Sequence, residues 1–91
     1  MSKLLEGEKQ TKVFAALADP VRLQIVRELA QHGEMSGTEI AERLGISLAL
    51  LCHHARILVE SAVVTKRKEA QTAYFRANRK LLSDSIKSLF A

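Results

Sequence analysis

The stretch Cys52-His53-His54-Ala55-Arg56 holds the side chains of this sequence that are most able to do chemistry. A thiol beside an imidazole could serve as a nucleophile and its general base. Adjacent residues of a helix point about 100° apart, however, so Cys52 and His53 diverge, and His53 and His54 cannot chelate one ion together. No third residue is evident to orient a base, and a small domain with four glycines offers little material for a pocket. We therefore expect no catalytic residues and no enzyme activity.

Cys52 is the single cysteine of the chain, which excludes an internal disulfide. Arg56 lies one helical turn after Cys52 and His53 is its neighbour, a setting that favours the thiolate form of Cys52. Oxidation of the thiolate could place charge or bulk on the helix face that carries Cys52. The alternative is a small, inert residue. Without a second cysteine, a redox switch at Cys52 would need a small-thiol adduct, a sulfenate or an intermolecular disulfide.

These residues lie in the fourth of five predicted helices. Apolar positions at helical spacing, with Asp19, Ser36, Ser47 and Asn78 as N-terminal caps, predict helices at 8–18, 20–32, 37–44, 48–60 and 79–90. Between the last two helices the pattern changes to that of strands, with Val63–Lys68 and Thr72–Ala77 joined by residues 69–71. That turn has no Gly or Asn, so we expect a loose hairpin tip.

The third and fourth helices have the spacing of a helix-turn-helix. Ala41 is small where the helices would cross, Gly45 tolerates a left-handed turn, and Leu51 is an apolar anchor on the second helix. A basic hairpin follows directly, with Lys66, Arg67 and Lys68 on its first strand. Together they predict an α+β winged helix-turn-helix, in which the fourth helix enters the major groove of DNA and the hairpin lies along phosphates.

The predicted DNA-reading face lies opposite Leu51, Ala55 and Leu58, which are expected to be buried. Leu48 and Ala49 could touch only thymine methyl groups, so hydrogen-bonded base contacts would come from the other residues of the face. An exposed Leu48 also fits the rival interpretation, a winged-helix module that binds a partner protein through Leu48, Ala49 and the hairpin. The predicted DNA-binding residues are Ser47, Leu48, Ala49, Cys52, His53, Arg56, Lys66, Arg67, Lys68 and Gln71.

The chain also resembles the ArsR/SmtB-type family of bacterial repressors. Residues 14–25, Phe-Ala-Ala-Leu-Ala-Asp-Pro-Val-Arg-Leu-Gln-Ile, are similar to the opening signature of that family, and residues 52–58 followed by Val63-Val64 are similar to its recognition-helix signature. The resemblance implies a dimeric winged-helix repressor whose DNA affinity changes when an effector binds, with the first and last helices pairing across a two-fold axis. The predicted dimer-interface residues are Phe14, Leu17, Leu82, Ile86, Leu89 and Phe90.

The chain departs from the family where metal-sensing members bind their ion. Those members carry Cys-x-Cys at the start of the third helix, where this sequence has Ser36-Gly37-Thr38, and a hydroxyl is a poor ligand for a soft metal. A second family site uses Asp and His on the last helix, where this sequence has Asn78-Arg79-Lys80. We therefore expect neither a metal nor another cofactor, and the identity of any small-molecule or oxidant effector stays open.

Length and charge agree with one small DNA-binding domain over residues 1–91. The formal net charge of +4 is uneven, since residues 1–55 carry −1 and residues 56–91 carry +5, which favours a polyanionic partner for the second half. The 47% content of hydrophobic residues leaves apolar area for a homodimer. No leader or membrane span is evident, so a cytoplasmic protein that does not bind membranes is expected.

Overall fold

The computed structural model describes residues 7–91, so the first six residues of the predicted domain lie outside the described part. Within it the chain forms five helices and three strands. In chain order these are α1 (Glu8–Leu17), α2 (Pro20–His32), β1 (Met35–Ser36), α3 (Gly37–Leu44), α4 (Leu48–Glu60), β2 (Val64–Glu69), β3 (Thr72–Ala77) and α5 (Arg79–Ser88).

Side-chain caps fix the starts of four helices as the sequence predicts. The Asp19 carboxylate accepts hydrogen bonds from the backbone of Val21 and Arg22, and Ser36 forms a full capping box with Glu39. The side chains of Ser47 and Asn78 each accept one backbone N–H at the starts of α4 and α5, from Leu50 and Leu81 respectively. Each cap satisfies backbone N–H groups that have no partner within the helix, so the positions of the helix starts follow from local chemistry.

The sheet has one strand that the sequence does not reveal. The strand order of the sheet is β1-β3-β2, with both pairs antiparallel. In the β1–β3 pair, Met35 lies opposite Phe75 and Ser36 opposite Tyr74. A strand of two residues is too short to show alternation of apolar and polar side chains. β1 nonetheless fastens the hairpin to the segment that leads into α3.

The expectation of a loose hairpin tip is wrong. Pairing between β2 and β3 continues to Glu69 opposite Thr72, which leaves only Ala70 and Gln71 in the loop. Ala70, the first residue of the loop, takes a φ of 55°, and the favoured two-residue hairpin turns have a positive φ at that position. The cross-strand ladder outweighs the modest cost of this conformation for alanine, so the turn closes without Gly or Asn.

The core joins the helix-turn-helix to the sheet. Ala41 and Leu51 are buried, and Gly45 takes a φ of 67°, as the predicted motif requires. The largest fully buried side chains come from the first four helices, from the residue before β2 and from the first residue of β2; they are Ile25, Leu29, Ile40, Leu51, Leu58, Val13, Val63 and Val64. The architecture is thus the predicted α+β winged helix-turn-helix, with β2 and β3 as the wing. Among the described residues, no helix is long and apolar enough to cross a membrane.

Candidate nucleic-acid interface

Helix α4 is held so that one face points out of the domain. Leu51, Ala55 and Leu58 are buried on its inner side. Leu48, Ala49, Cys52, His53 and Arg56 recur at spacings of one and four residues on the other side, and all five are exposed. Ser47, just before the helix, is also exposed while its Oγ accepts the Leu50 N–H at 3.0 Å.

The exposed face of α4 forms one wall of an open cleft of about 720 Å³. Residues of the wing, among them Lys66 and Gln71, form the opposite wall, and Phe75 and Gly37 also line the cleft. The structure therefore brings most of the predicted contact residues to a single concave surface. We call this surface the α4–wing cleft; the members of the predicted set that line it are Leu48, Ala49, Cys52, His53, Arg56, Lys66 and Gln71.

Arg67 has a different setting from its neighbours on β2. Its guanidinium binds Glu34 in two places, Nη2 to Oε1 at 2.8 Å and Nε to Oε2 at 2.9 Å, and reaches Glu69 at 3.2 Å. It also lies 4.6 Å from the centre of the Tyr74 ring. The hydrogen bonds to Glu34 and Glu69 raise the pKa of Arg67, and those from Arg67 lower the pKa of Glu34. Arg67 thus clamps the wing to the segment between α2 and β1.

Three members of the predicted set, Ser47, Arg67 and Lys68, do not line the α4–wing cleft. Successive side chains of a strand point to opposite faces, so three consecutive cations on β2 cannot share one surface. This alternation is the signal in the sequence that separates Arg67 from Lys66 and Lys68. The pairing of Arg67 with Glu34 leaves no local pattern, because the two residues are 33 positions apart. Lys66 and Lys68 are exposed and make no ion pair within residues 7–91.

Three further cations in the second half of the chain also have intramolecular partners. Arg76 lies 4.0 Å from Glu34, Arg79 donates to the carbonyl oxygen of Ala30 at 2.9 Å, and Lys80 pairs with Asp84 at 2.9 Å. None of these three cations lines the α4–wing cleft.

His54 anchors α4 to the junction of α1 and α2. It is buried, and its Nδ1 lies 3.3 Å from Nη1 of Arg22 and 3.8 Å from the Asp19 carboxylate. Because a guanidinium only donates, Nδ1 accepts in the Arg22 contact. Arg22 also donates through Nε to the carbonyl oxygen of Ala16 at 2.7 Å.

Cys52 is free and exposed, with His53 and Arg56 on the same face of α4. The rings of His53 and His54 meet edge to face at 5.2 Å, and one is exposed while the other is buried. Across residues 7–91, no group of three or more His, Cys, Asp or Glu side chains is arranged to hold a metal ion.

A second surface, on α1 and α5, carries the predicted dimer-interface residues. Phe14, Leu17 and Leu82 are half-buried. Further along α5 and just beyond it, Ile86, Leu89 and Phe90 are 50%, 62% and 85% exposed. Large apolar side chains this exposed, next to one another in the chain, mark a surface that a partner would cover.

Comparison with known proteins identifies the kind of domain that carries these surfaces. A family model described as a helix-turn-helix domain matches residues 17–67. The transcriptional repressor SdpR of Bacillus subtilis is 36% identical over 74 residues, which cover 81% of each chain. The arsenical resistance operon repressor of the same organism is 31% identical, with 98% of this chain and 87% of that protein covered.

Among solved structures, the chain is similar to the homodimeric winged helix-turn-helix DNA-binding domain Mb0332 from Mycobacterium bovis, a possible ArsR-family transcriptional regulator. The TM-score is 0.82 at 27% sequence identity, and the match covers 97% of this chain and 82% of that one. The two curated relatives are named as repressors and not as enzymes.

Proposed function

This chain belongs to the ArsR/SmtB-type family of winged helix-turn-helix transcriptional regulators, and on that basis we propose that it represses transcription as a homodimer bound to a two-fold symmetric operator. The observation that carries the proposal is the α4–wing cleft, which faces outward and has cations on both walls, Arg56 and Lys66. Bound at a promoter in the cytoplasm, the dimer would block access of the transcription machinery.

In this proposal α4 enters the major groove and the wing follows the phosphate backbone. Cys52, His53 and Arg56 offer the polar groups that reach base edges, with Leu48 and Ala49 beside them. Ser47, just before α4, and Gln71, in the loop of the wing, are proposed to make phosphate or sugar contacts. Lys66 and Lys68 supply the phosphate contacts of the wing, and Arg67 acts by holding the wing in place.

The apolar residues of α1 and α5 form the dimer interface in this proposal. The high exposure of Leu89 and Phe90 supports it, as does the homodimeric state of the Mycobacterium bovis domain. A two-fold dimer presents two copies of α4 to successive major grooves on one side of the duplex, about 34 Å apart. The operator is therefore an inverted repeat.

The test is binding of the purified protein to the DNA upstream of its own gene, compared with random duplex of equal length at the same salt concentration. The proposal predicts specific, saturable binding that protects two adjacent major grooves from cleavage. The winged-helix interaction module predicts no preference between the two DNAs. If preference is absent, a selection from random duplexes decides whether the operator lies elsewhere or the DNA-binding function is wrong.

Cys52 gives the repressor a proposed redox switch. Its Sγ is exposed on the face that would meet the bases, and oxidation by a peroxide to the sulfenic acid, with the peroxide reduced to water or alcohol, enlarges and polarises the side chain. Oxidation would then weaken DNA binding, and a small thiol would restore it by reducing the sulfenic acid.

The redox switch is tested by titrating operator DNA before and after mild peroxide, with Cys52→Ser as the matched control. Loss of specific binding in the native protein, retention in Cys52→Ser and recovery with dithiothreitol are expected. Binding that does not respond to peroxide in either protein would remove the switch while leaving the repressor.

A further inference from the structure

We propose that the amino-terminal half of α4 reads DNA through thymine methyl groups, with Leu48 as the side chain that makes the contact. The inference rests on the proposed DNA-binding function and deepens it by naming the base feature that this part of the helix recognises.

The chemistry of the face leaves little else for this half of the helix to read. Leu48 is 50% exposed, and Ala49 and Cys52 beside it are exposed too. None of the three carries a strong hydrogen-bond donor or acceptor. In the major groove, thymine is the base that presents a methyl group, at C5, while the remaining recognition groups are polar. Apolar side chains on this surface therefore gain most binding free energy where they pack against thymine methyl groups.

Leu48 also lies beside the first residue of α3. A Cβ built on Gly37 would lie 3.6 Å from Cδ1 of Leu48, and 3.4 Å from Cδ1 of Leu51 and from Cε2 of Phe75. The Leu48 side chain thus packs against the first residue of α3 while half of its surface remains open to the cleft.

The charges around Leu48 favour duplex DNA as the occupant of the cleft. Arg56 lies two turns further along the same face of α4, and Lys66 lies on the facing wall. Glu60 is the carboxylate in the cleft lining, at the far end of α4 from Leu48. An apolar strip at the start of the helix, flanked by cations, fits a methyl-bearing groove between two phosphate backbones.

The experiment replaces thymine by deoxyuridine, which removes only the C5 methyl group. An operator is first identified by selection with the native protein, and each thymine of a half-site is then replaced together with its symmetry mate. At one or more positions we expect a loss of affinity of about fourfold for each contacted methyl group, the effect of exposing one methylene-sized group to water. The Leu48→Ala variant should bind the thymine and uracil operators equally.

Leu50→Ala is the matched control, because Leu50 is 41% exposed on α4 but lies outside the cleft lining. It should keep the full sensitivity to uracil. Equal binding of both operators by the native protein would overturn the inference, and so would a sensitivity to uracil that persists in Leu48→Ala. Failure to select any sequence would instead overturn the proposed DNA-binding function, and the inference with it.

Discussion

Arg56 is the side chain on the exposed face of α4 with the greatest capacity for hydrogen bonding, since its guanidinium carries five donors in a fixed plane. Such a group can bind a guanine edge through two hydrogen bonds. Cys52 and His53 on the same face offer smaller groups. At the scale of single residues, Arg56 is therefore expected to contribute most to base recognition.

Replacing Arg56 by Ala should weaken binding to the selected operator by about 1–3 kcal/mol and relax the preference at one base pair of each half-site. Competition titrations with single-base operator variants measure both effects. Arg27→Ala, an exposed arginine of α2 that does not line the α4–wing cleft, is the control and should bind as the native protein does. An Arg56→Ala variant with native affinity and native preference would contradict this role.

Asp19 makes the stability of the domain depend on pH. Hydrogen bonds from the backbone N–H of Arg22, at 3.1 Å, and of Val21, at 2.9 Å, lower the pKa of its carboxyl group. A pKa that is lower in the folded state stabilises the fold above the unfolded pKa of about 4. That contribution is lost as the pH falls through the folded pKa.

The free energy of unfolding should accordingly decrease below about pH 4. Asp19→Asn keeps an acceptor oxygen but no charge, so it should be less stable than the native protein at pH 7 and lose less on acidification. Urea unfolding from pH 3 to pH 7 measures this, with the exposed Glu42→Gln as a control that should follow the native curve. An identical pH dependence in Asp19→Asn and the native chain would refute the assignment.

At the scale of elements, the wing is positioned by the clamp between Arg67 and Glu34. Arg67→Ala should loosen the wing and lower DNA affinity without changing the slope of log affinity against log salt, because Arg67 is not proposed to contact phosphate. Lys68→Ala should reduce that slope by about one for each protomer. If Arg67→Ala reduced the slope by the same amount, Arg67 would contact phosphate as the sequence predicts, and its effect on DNA binding would not come from the clamp.

Helix α4 and the wing differ in how much of their structure local sequence can predict. The buried and exposed faces of α4 could be predicted because Leu51, Ala55 and Leu58 repeat at helical spacing and the helix is capped at its start. Strand alternation could have separated Arg67 from Lys66, but its pairing with Glu34 could not be predicted, because Glu34 is distant in the chain and β1 is too short to leave a pattern. The function of the individual contact residues stays a prediction for the same reason: the DNA that they would meet is not encoded in any local pattern.

At the scale of the whole molecule, the exposed apolar end of α5 is the proposed dimer contact. Leu89→Glu should convert a dimer into a monomer and weaken operator binding, because a carboxylate would have to be buried in an apolar interface. Sedimentation equilibrium measures the mass of the native and variant proteins. Lys87→Glu, which changes charge on the same helix outside the apolar stripe, should remain dimeric. A dimeric Leu89→Glu variant would place the interface elsewhere.

The most direct test of the central claim, a dimer that reads DNA through two copies of α4, is selection of binding sites from a random duplex library with the native protein. The account predicts enrichment of an inverted repeat whose half-sites are centred about 10 base pairs apart, the spacing of successive major grooves on one face of the duplex. The absence of any enriched sequence would contradict it, and enrichment of a single unrepeated site would contradict the two-fold arrangement.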